Sequence, residues 1–278
     1  MKKEFRSLKL LHFPSKLNKT YFILGLVIFY LIIIFSPSRI IYFTSYFIAT
    51  FFFYIATKNI QKSLLYSLIL SLFSDFGLAK SIFMMQPEEF NLGPGWSISP
   101  MTVFIMTLLP LTLLRKIKTF QKADLFILLF FASSLISFYI FPYTNVLFGI
   151  ISLGEVILSY FILRTLLTSD DYKNAAKILI SLVIFQVILS GIQFLIQNPI
   201  GQVSEAIITN NPYGLTTRED PNLFRVSGTF AHPNFLASFI LLSYPFLLLF
   251  PSSNIYLNIF KILSILILFF TYSRAAWI

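Results

Sequence analysis

Residues 175–195 read Ala-Ala-Lys-Ile-Leu-Ile-Ser-Leu-Val-Ile-Phe-Gln-Val-Ile-Leu-Ser-Gly-Ile-Gln-Phe-Leu, an apolar run whose one charge, Lys177, sits at its start. A helix rises about 1.5 Å per residue, so roughly 20 such residues match about 30 Å of hydrocarbon, and the run predicts a bilayer crossing. Eight comparable runs lie near 20–35, 39–56, 63–79, 100–114, 123–141, 146–163, 233–250 and 255–274. Together they occupy most of the 278 residues, and no connection is long enough to fold as a separate soluble domain. The expected fold is all-α: a polytopic transmembrane helix bundle of about nine spans, forming a single membrane domain over 1–278.

Composition agrees with that reading. Hydrophobic residues make up 57% of the chain, charged residues 12%, and mean hydropathy is +0.81. Soluble chains carry about 25% charged residues, and long apolar runs with so few charges exclude disorder. The chain has no cysteine, which removes disulfides, thiolate nucleophiles and zinc–sulfur sites.

The net charge of +10 is explained by where the basic residues fall. The first 19 residues hold Lys2, Lys3, Arg6, Lys9, Lys16 and Lys19. Alternate connections then hold Lys58 and Lys62, Arg115, Lys116, Lys118 and Lys122, and Arg164, Lys173 and Lys177; these are 15 of the 21 basic residues. Loops retained in the cytoplasm carry such an excess, so the N-terminus is predicted inside. Lys261 is expected to snorkel toward the same side, which leaves Arg39, Lys80, Arg218, Arg225 and Arg274 outside. A nucleic-acid patch would not recur at every second connection, and no nucleic-acid partner is expected. The first apolar run reads as a retained anchor, because no small-x-small cleavage site follows it before Ser36-Pro37-Ser38.

The outward connections are unequal. Residues 36–38 and 142–145 are turns, whereas 80–99 and 196–232 are long, polar and rich in Pro, Asn and Gly. Long loops carry function more often than scaffold, so recognition or chemistry is expected outside. No glycine-rich phosphate loop occurs among the cytoplasmic segments, and ATP use is unsupported.

Polar residues also recur within spans. Gln186, Ser190, Gln193 and Gln197 share a helical face, as do Ser152, Glu155 and Ser159, and Ser67, Ser71, Ser74 and Asp75 close the third span. These stripes either bond neighbouring helices or line a functional cavity. The first reading is favoured for the Ser and Gln residues, while Glu155 must face the bundle interior or a wet cavity, since a carboxylate in hydrocarbon is costly.

The most informative segment is Arg225-Val-Ser-Gly-Thr-Phe-Ala-His232-Pro-Asn234-Phe-Leu-Ala, which opens the eighth span. Pro233 suits the first turn of a helix, Gly228 permits close backbone approach, and the free N–H groups of a helix start favour an anion. The ninth span closes on Tyr272-Ser-Arg274-Ala-Ala-Trp277, about 19 residues or 29 Å along from Ile255, which returns Arg274 to the outer interface beside Arg225. Taken singly, Arg225 could be a solvated loop charge and Arg274 an interfacial anchor beside Trp277.

In order, spacing and placement these two segments resemble the bacterial O-antigen ligase and O-antigen polymerase family. About 20 residues carry the resemblance directly; the earlier spans agree only in number, orientation and the long outer loop. The resemblance implies a multi-pass glycosyltransferase of the bacterial cytoplasmic (inner) membrane, active face outward. It would act on a glycan carried by undecaprenyl diphosphate and transfer it to a glycan, lipid or protein acceptor, with no metal and no cofactor. Arg225, Arg274 and Asn234 would bind the substrate, with the two arginines stabilising the diphosphate as leaving group, and His232 is either the general base or a residue that caps the helix or orients the loop. The family places an essential histidine in an outer loop beyond the second arginine motif, so the chain is expected to be an amino-terminal portion of a longer protein, and inactivity of this portion is one alternative. The rival from another class is a transporter or flippase of lipid-linked glycan, although no internal repeat of the kind common in transporters is evident.

Overall fold

The computed structural model describes residues 18–35, 39–74, 84–85, 96–115, 120–140, 143–198, 200, 224–230, 232–248 and 255–273. Lys2, Lys3, Arg6, Lys9, Lys16, Asp75, Lys80, Lys116, Lys118, Arg218, Arg274 and Trp277 lie outside these residues. Among the described residues are nine helices: α1 (Lys19–Phe35), α2 (Arg39–Thr57), α3 (Ile60–Ser74), α4 (Pro100–Leu113), α5 (Lys122–Ile140), α6 (Thr144–Leu166), α7 (Ser169–Ile196), α8 (Pro233–Leu248) and α9 (Ile255–Phe270). Each of the nine apolar runs is a helix. Between α3 and α4, where a plain loop is expected, β1 (Met84–Met85) pairs antiparallel with β2 (Trp96–Ser97), Met84 opposite Ser97.

Four helices, α2, α5, α6 and α7, are long and apolar enough to cross a membrane. The other five are apolar but shorter; α4, with 14 residues, extends about 21 Å. The surface of α5 shows why the chain suits hydrocarbon. Phe126, Phe130 and Tyr139 are 71%, 62% and 89% exposed, and exposed apolar surface of this kind marks contact with a membrane or another protein. These apolar helices mark a membrane protein.

Consecutive helices α1 to α4 pack on one another, α6 packs on α3, α4 and α5, and α7 lies against α1, α3, α8 and α9. Helix α7 is largely buried: Ile178, Leu179, Ile180, Leu182 and Val183, which spread over more than half of its circumference, are all buried, as are Gln186, Ser190 and Gln193 of its polar stripe. Aromatic rings fill the space between α1, α2 and α3, where Phe22 stands edge-on to Tyr66 at 5.8 Å and Phe29 to Tyr46 at 4.8 Å. Gly25 lets α1 and α2 approach, since a Cβ there would lie 2.7 Å from the Phe52 Cβ.

Two ion pairs involve bases that also set the predicted orientation. Lys62 Nζ meets Asp171 Oδ1 at 2.9 Å, and the same oxygen accepts from the Tyr66 hydroxyl at 2.9 Å. Arg164 pairs with the buried Asp124, which also accepts from the Tyr160 hydroxyl at 3.0 Å.

The two largest shifts of an expected boundary among the described residues each have a local reason. The seventh helix begins at Ser169 rather than near 175, because Asp171 Oδ2 accepts the Thr168 N–H at 3.1 Å and closes an earlier N-terminus. The ninth ends at Phe270 rather than 274. Thr271 and Tyr272 form a turn in which Tyr272 adopts φ +47° and donates its N–H to Phe269 O at 3.0 Å. Arg274 therefore follows a turn and is not the last residue of a continuous helix.

Candidate functional site

The segment 224–230 rests on the polar face of α7. Gln193 Oε1 accepts the N–H groups of Ser227 at 3.2 Å and Gly228 at 2.9 Å, while its Nε2 donates to Gly228 O at 2.7 Å. Two helical turns away from the end of that contact, Gln186 repeats the arrangement on Thr229: its Oε1 accepts the backbone N–H at 3.0 Å and its Nε2 donates to the hydroxyl at 2.6 Å. Gly228 has φ +58°, and a Cβ on it would lie 2.2 Å from Gln186 Oε1. Only glycine fits both the backbone conformation and the space. Val226, Ser227 and Phe230 are fully buried.

Gln186 and Gln193 of this stripe are thus a foundation for the motif and do not, as favoured from the sequence, bond neighbouring helices. Both glutamines are buried. The sequence signal was present in the i, i+4, i+7 spacing; what it could not reveal was that the partner is the backbone of a loop. Gln197, the fourth member, ends α7 in the left-handed region and bonds Phe194 O.

Arg225 is not a solvated loop charge. Its Nε donates to Thr271 O at 2.8 Å, and its Nη2 reaches Asn234 Oδ1 at 3.1 Å and Tyr272 O at 3.5 Å. The Val226 N–H also donates to Phe270 O at 3.3 Å. The carbonyls at the end of α9 lack helical partners and carry the negative end of the helix dipole, so a cation there is doubly favoured. A guanidinium has five N–H donors; among the described residues none of these bonds uses Nη1.

Arg225, His232 and Asn234 are brought together. Asn234 Oδ1 faces Arg225, and the Asn234 N–H donates to His232 Nδ1 at 3.1 Å. Pro233 is the first residue of α8, so His232 is its N-cap, accepting through the ring nitrogen in the way a Ser or Asp oxygen usually does. Burial, reinforced by the neighbouring Arg225 charge, holds the His232 imidazole below its ordinary value. A neutral ring that accepts at Nδ1 carries its proton on Nε2. Arg274 lies outside the described residues, but Tyr272, two positions before it, touches Arg225.

Glu155 stands apart. Its Oε1 accepts from the Thr102 hydroxyl at 2.6 Å, and Thr102 in turn forms a capping box with Ser99 at the start of α4. Its partner is on α4 and not on the 224–234 segment. One turn along, the buried Ser159 hydroxyl has no hydrogen-bond partner among the described residues. A groove of about 280 Å³ between α5 and α6, lined by Ser134, Ser137 and Gly149 among others, contains none of the expected site residues.

Comparison with protein-family models, curated proteins and solved structures finds no match.

Proposed function

We propose that this chain is a membrane glycosyltransferase, of the O-antigen ligase or polymerase type, that transfers a glycan from undecaprenyl diphosphate to an acceptor in cell-surface polysaccharide synthesis. In this reading the nine helices are nine crossings of the bacterial inner membrane with the N-terminus in the cytoplasm, and the α8 entrance and the α9 exit face outward. The observation that carries it is the Arg225 guanidinium, fixed through Nε and Nη2 to the turn that leads into Arg274 and through Nη2 to Asn234, with Nη1 making no bond among the described residues. A guanidinium already held in place loses little freedom when it takes a phosphate oxygen.

In the proposed step the acceptor hydroxyl oxygen bonds to the anomeric carbon of the glycan and releases its proton to solvent. The bond from that carbon to the diphosphate breaks, and its electron pair departs with undecaprenyl diphosphate. Arg225 and Arg274 neutralise the charge that grows on the leaving group, which is most effective where water is restricted. Asn234 aligns Arg225. In its capping arrangement His232 offers an Nε2 proton to the departing oxygens; it takes the acceptor's proton as base only by giving up the Asn234 N–H. The step requires no nucleotide, since the energy lies in the sugar–diphosphate bond, and the reading assigns no metal or cofactor.

The test is the chain in proteoliposomes with an undecaprenyl-diphosphate-linked glycan and a saccharide, lipid or protein acceptor. Transfer gives a new glycosidic product and free undecaprenyl diphosphate in equal amounts. The rival reading, movement of the lipid-linked glycan, is favoured by the Glu155–Thr102 bond within the helical bundle, and it would give flux across the vesicle wall with no new product.

A further inference from the structure

Both ends of the connection between α7 and α8 close on one side chain. Gln193 Nε2 donates to Ile200 O, near the start of the connection, and to Gly228 O, near its end, each at 2.7 Å. Its Oε1 accepts the N–H groups of Ser227 and Gly228. A primary amide has two donor hydrogens and two acceptor lone pairs, and in Gln193 all four are directed at the main chain of the connection. The side chain is fully buried, so each of these bonds is costly to lose. Gln186 adds a second hold at Thr229. Ser190, between the two glutamines, is buried beside Gly228, where a Cβ would lie 3.3 Å from its hydroxyl, which has no hydrogen-bond partner among the described residues.

Arg225 precedes Ser227 by two residues, so the register of 227–229 on α7 determines where its guanidinium emerges beside Thr271. We propose that Gln193 is a positioning residue for Arg225, assisted by Gln186. It buckles the outer connection to α7 and holds the arginine in line for a diphosphate without touching the substrate itself. The diphosphate part of this inference rests on the glycan-transfer reading; the buckle does not.

The experiment uses the full chain in nanodiscs with Gln193→Met, which keeps length and packing but loses all four bonds, and Gln193→Glu, which keeps only the acceptor half. Two quantities are read: the rate of tryptic cleavage after Arg225, and kcat and KM for glycan transfer. Gln193→Met is expected to be cleaved about tenfold faster, reflecting local opening. Its kcat is expected to fall about 10- to 100-fold with KM for the acceptor unchanged, because the acceptor does not meet the amide. Gln193→Glu should lie between Gln193→Met and the unsubstituted chain in both, while Leu195→Met, exposed on the same helix, should change neither. An unchanged cleavage rate in Gln193→Met overturns the buckle even if the unsubstituted chain transfers glycan. Faster cleavage with unchanged kcat overturns the positioning of Arg225. If the unsubstituted chain transfers no glycan while Gln193→Met is cleaved faster, the glycan-transfer reading fails and the buckle stands.

Discussion

The Arg225 Nε–H donates to the Thr271 carbonyl at 2.8 Å across 46 residues of sequence. This bond joins the two polar segments that stand out in an otherwise apolar chain, and it places the start of one against the turn that leads into the other. Arg225 therefore both caps α9 and presents its remaining N–H groups beside the approach to Arg274.

Gly228 should be the least tolerant glycine among the described residues. Gly228→Ala combines a left-handed φ, worth about 1–2 kcal/mol against a residue with Cβ, with displacement of the Gln186 amide. A total loss of about 3 kcal/mol or more is expected by thermal unfolding in detergent. Gly149→Ala and Gly191→Ala, in helices where none of the described residues comes within 4 Å of the new Cβ, should be neutral or stabilising by up to about 1 kcal/mol.

Gly25 should fail for a different reason. Its backbone is ordinary helix, but a Cβ would lie 2.7 Å from the Phe52 Cβ. Gly25→Ala must separate α1 from α2 and should cost about 1–3 kcal/mol. A cysteine pair across α1 and α2, in a chain that has no other cysteine, would report the separation as a slower crosslinking rate.

The His232 cap predicts a pH dependence of stability. The folded-state value lies below the unfolded value of about 6.5, so in this range the unfolded chain binds more protons, and stability falls as pH falls. The contribution is fully present above about pH 6.5 and is lost as pH drops through that value toward the depressed folded one. His232→Asn keeps a capping side chain without a titrating ring. The melting temperature of the unsubstituted chain should decline between pH 7.5 and 5 by more than that of His232→Asn; identical profiles would refute the cap.

At the other polar cluster the two partners should differ in weight. Asp171 is buried and serves Lys62, Tyr66 and Thr168, so Asp171→Ala strands several donors and should cost about 2–4 kcal/mol. The Lys62 side chain is 37% exposed, and solvent screening limits Lys62→Ala to about 1 kcal/mol or less. Thermal unfolding of the two variants checks the order, and equal losses would contradict it.

Much of the helical architecture was legible in sequence because hydrophobic run length is a strong signal, as 175–195 illustrates. Ends were less legible where side chains outside the apolar run decide them: Asp171 moves the start of α7 earlier, and the Thr271–Tyr272 turn ends α9 before Arg274. The β1–β2 ribbon involves too few residues to leave a periodic trace. At the site, the glycine at 228 and the proline at 233 announced their backbone requirements. The glutamines of α7 did not announce their partner, since spacing tells which residues share a face but not which loop lies upon it. His232 is the sharpest case: its place before Pro233 allowed a base or a cap, and the Asn234 N–H on Nδ1 makes it a cap whose remaining ring nitrogen is a donor.

The most direct measurement is the initial rate of undecaprenyl diphosphate release from a lipid-linked glycan, in the presence of acceptor, for the unsubstituted chain and for Arg225→Ala in the same nanodiscs. Loss of a preorganised cation at the leaving group predicts a rate about 100-fold or more lower with the helical fold retained. An Arg225→Ala rate equal to that of the unsubstituted chain would contradict the account.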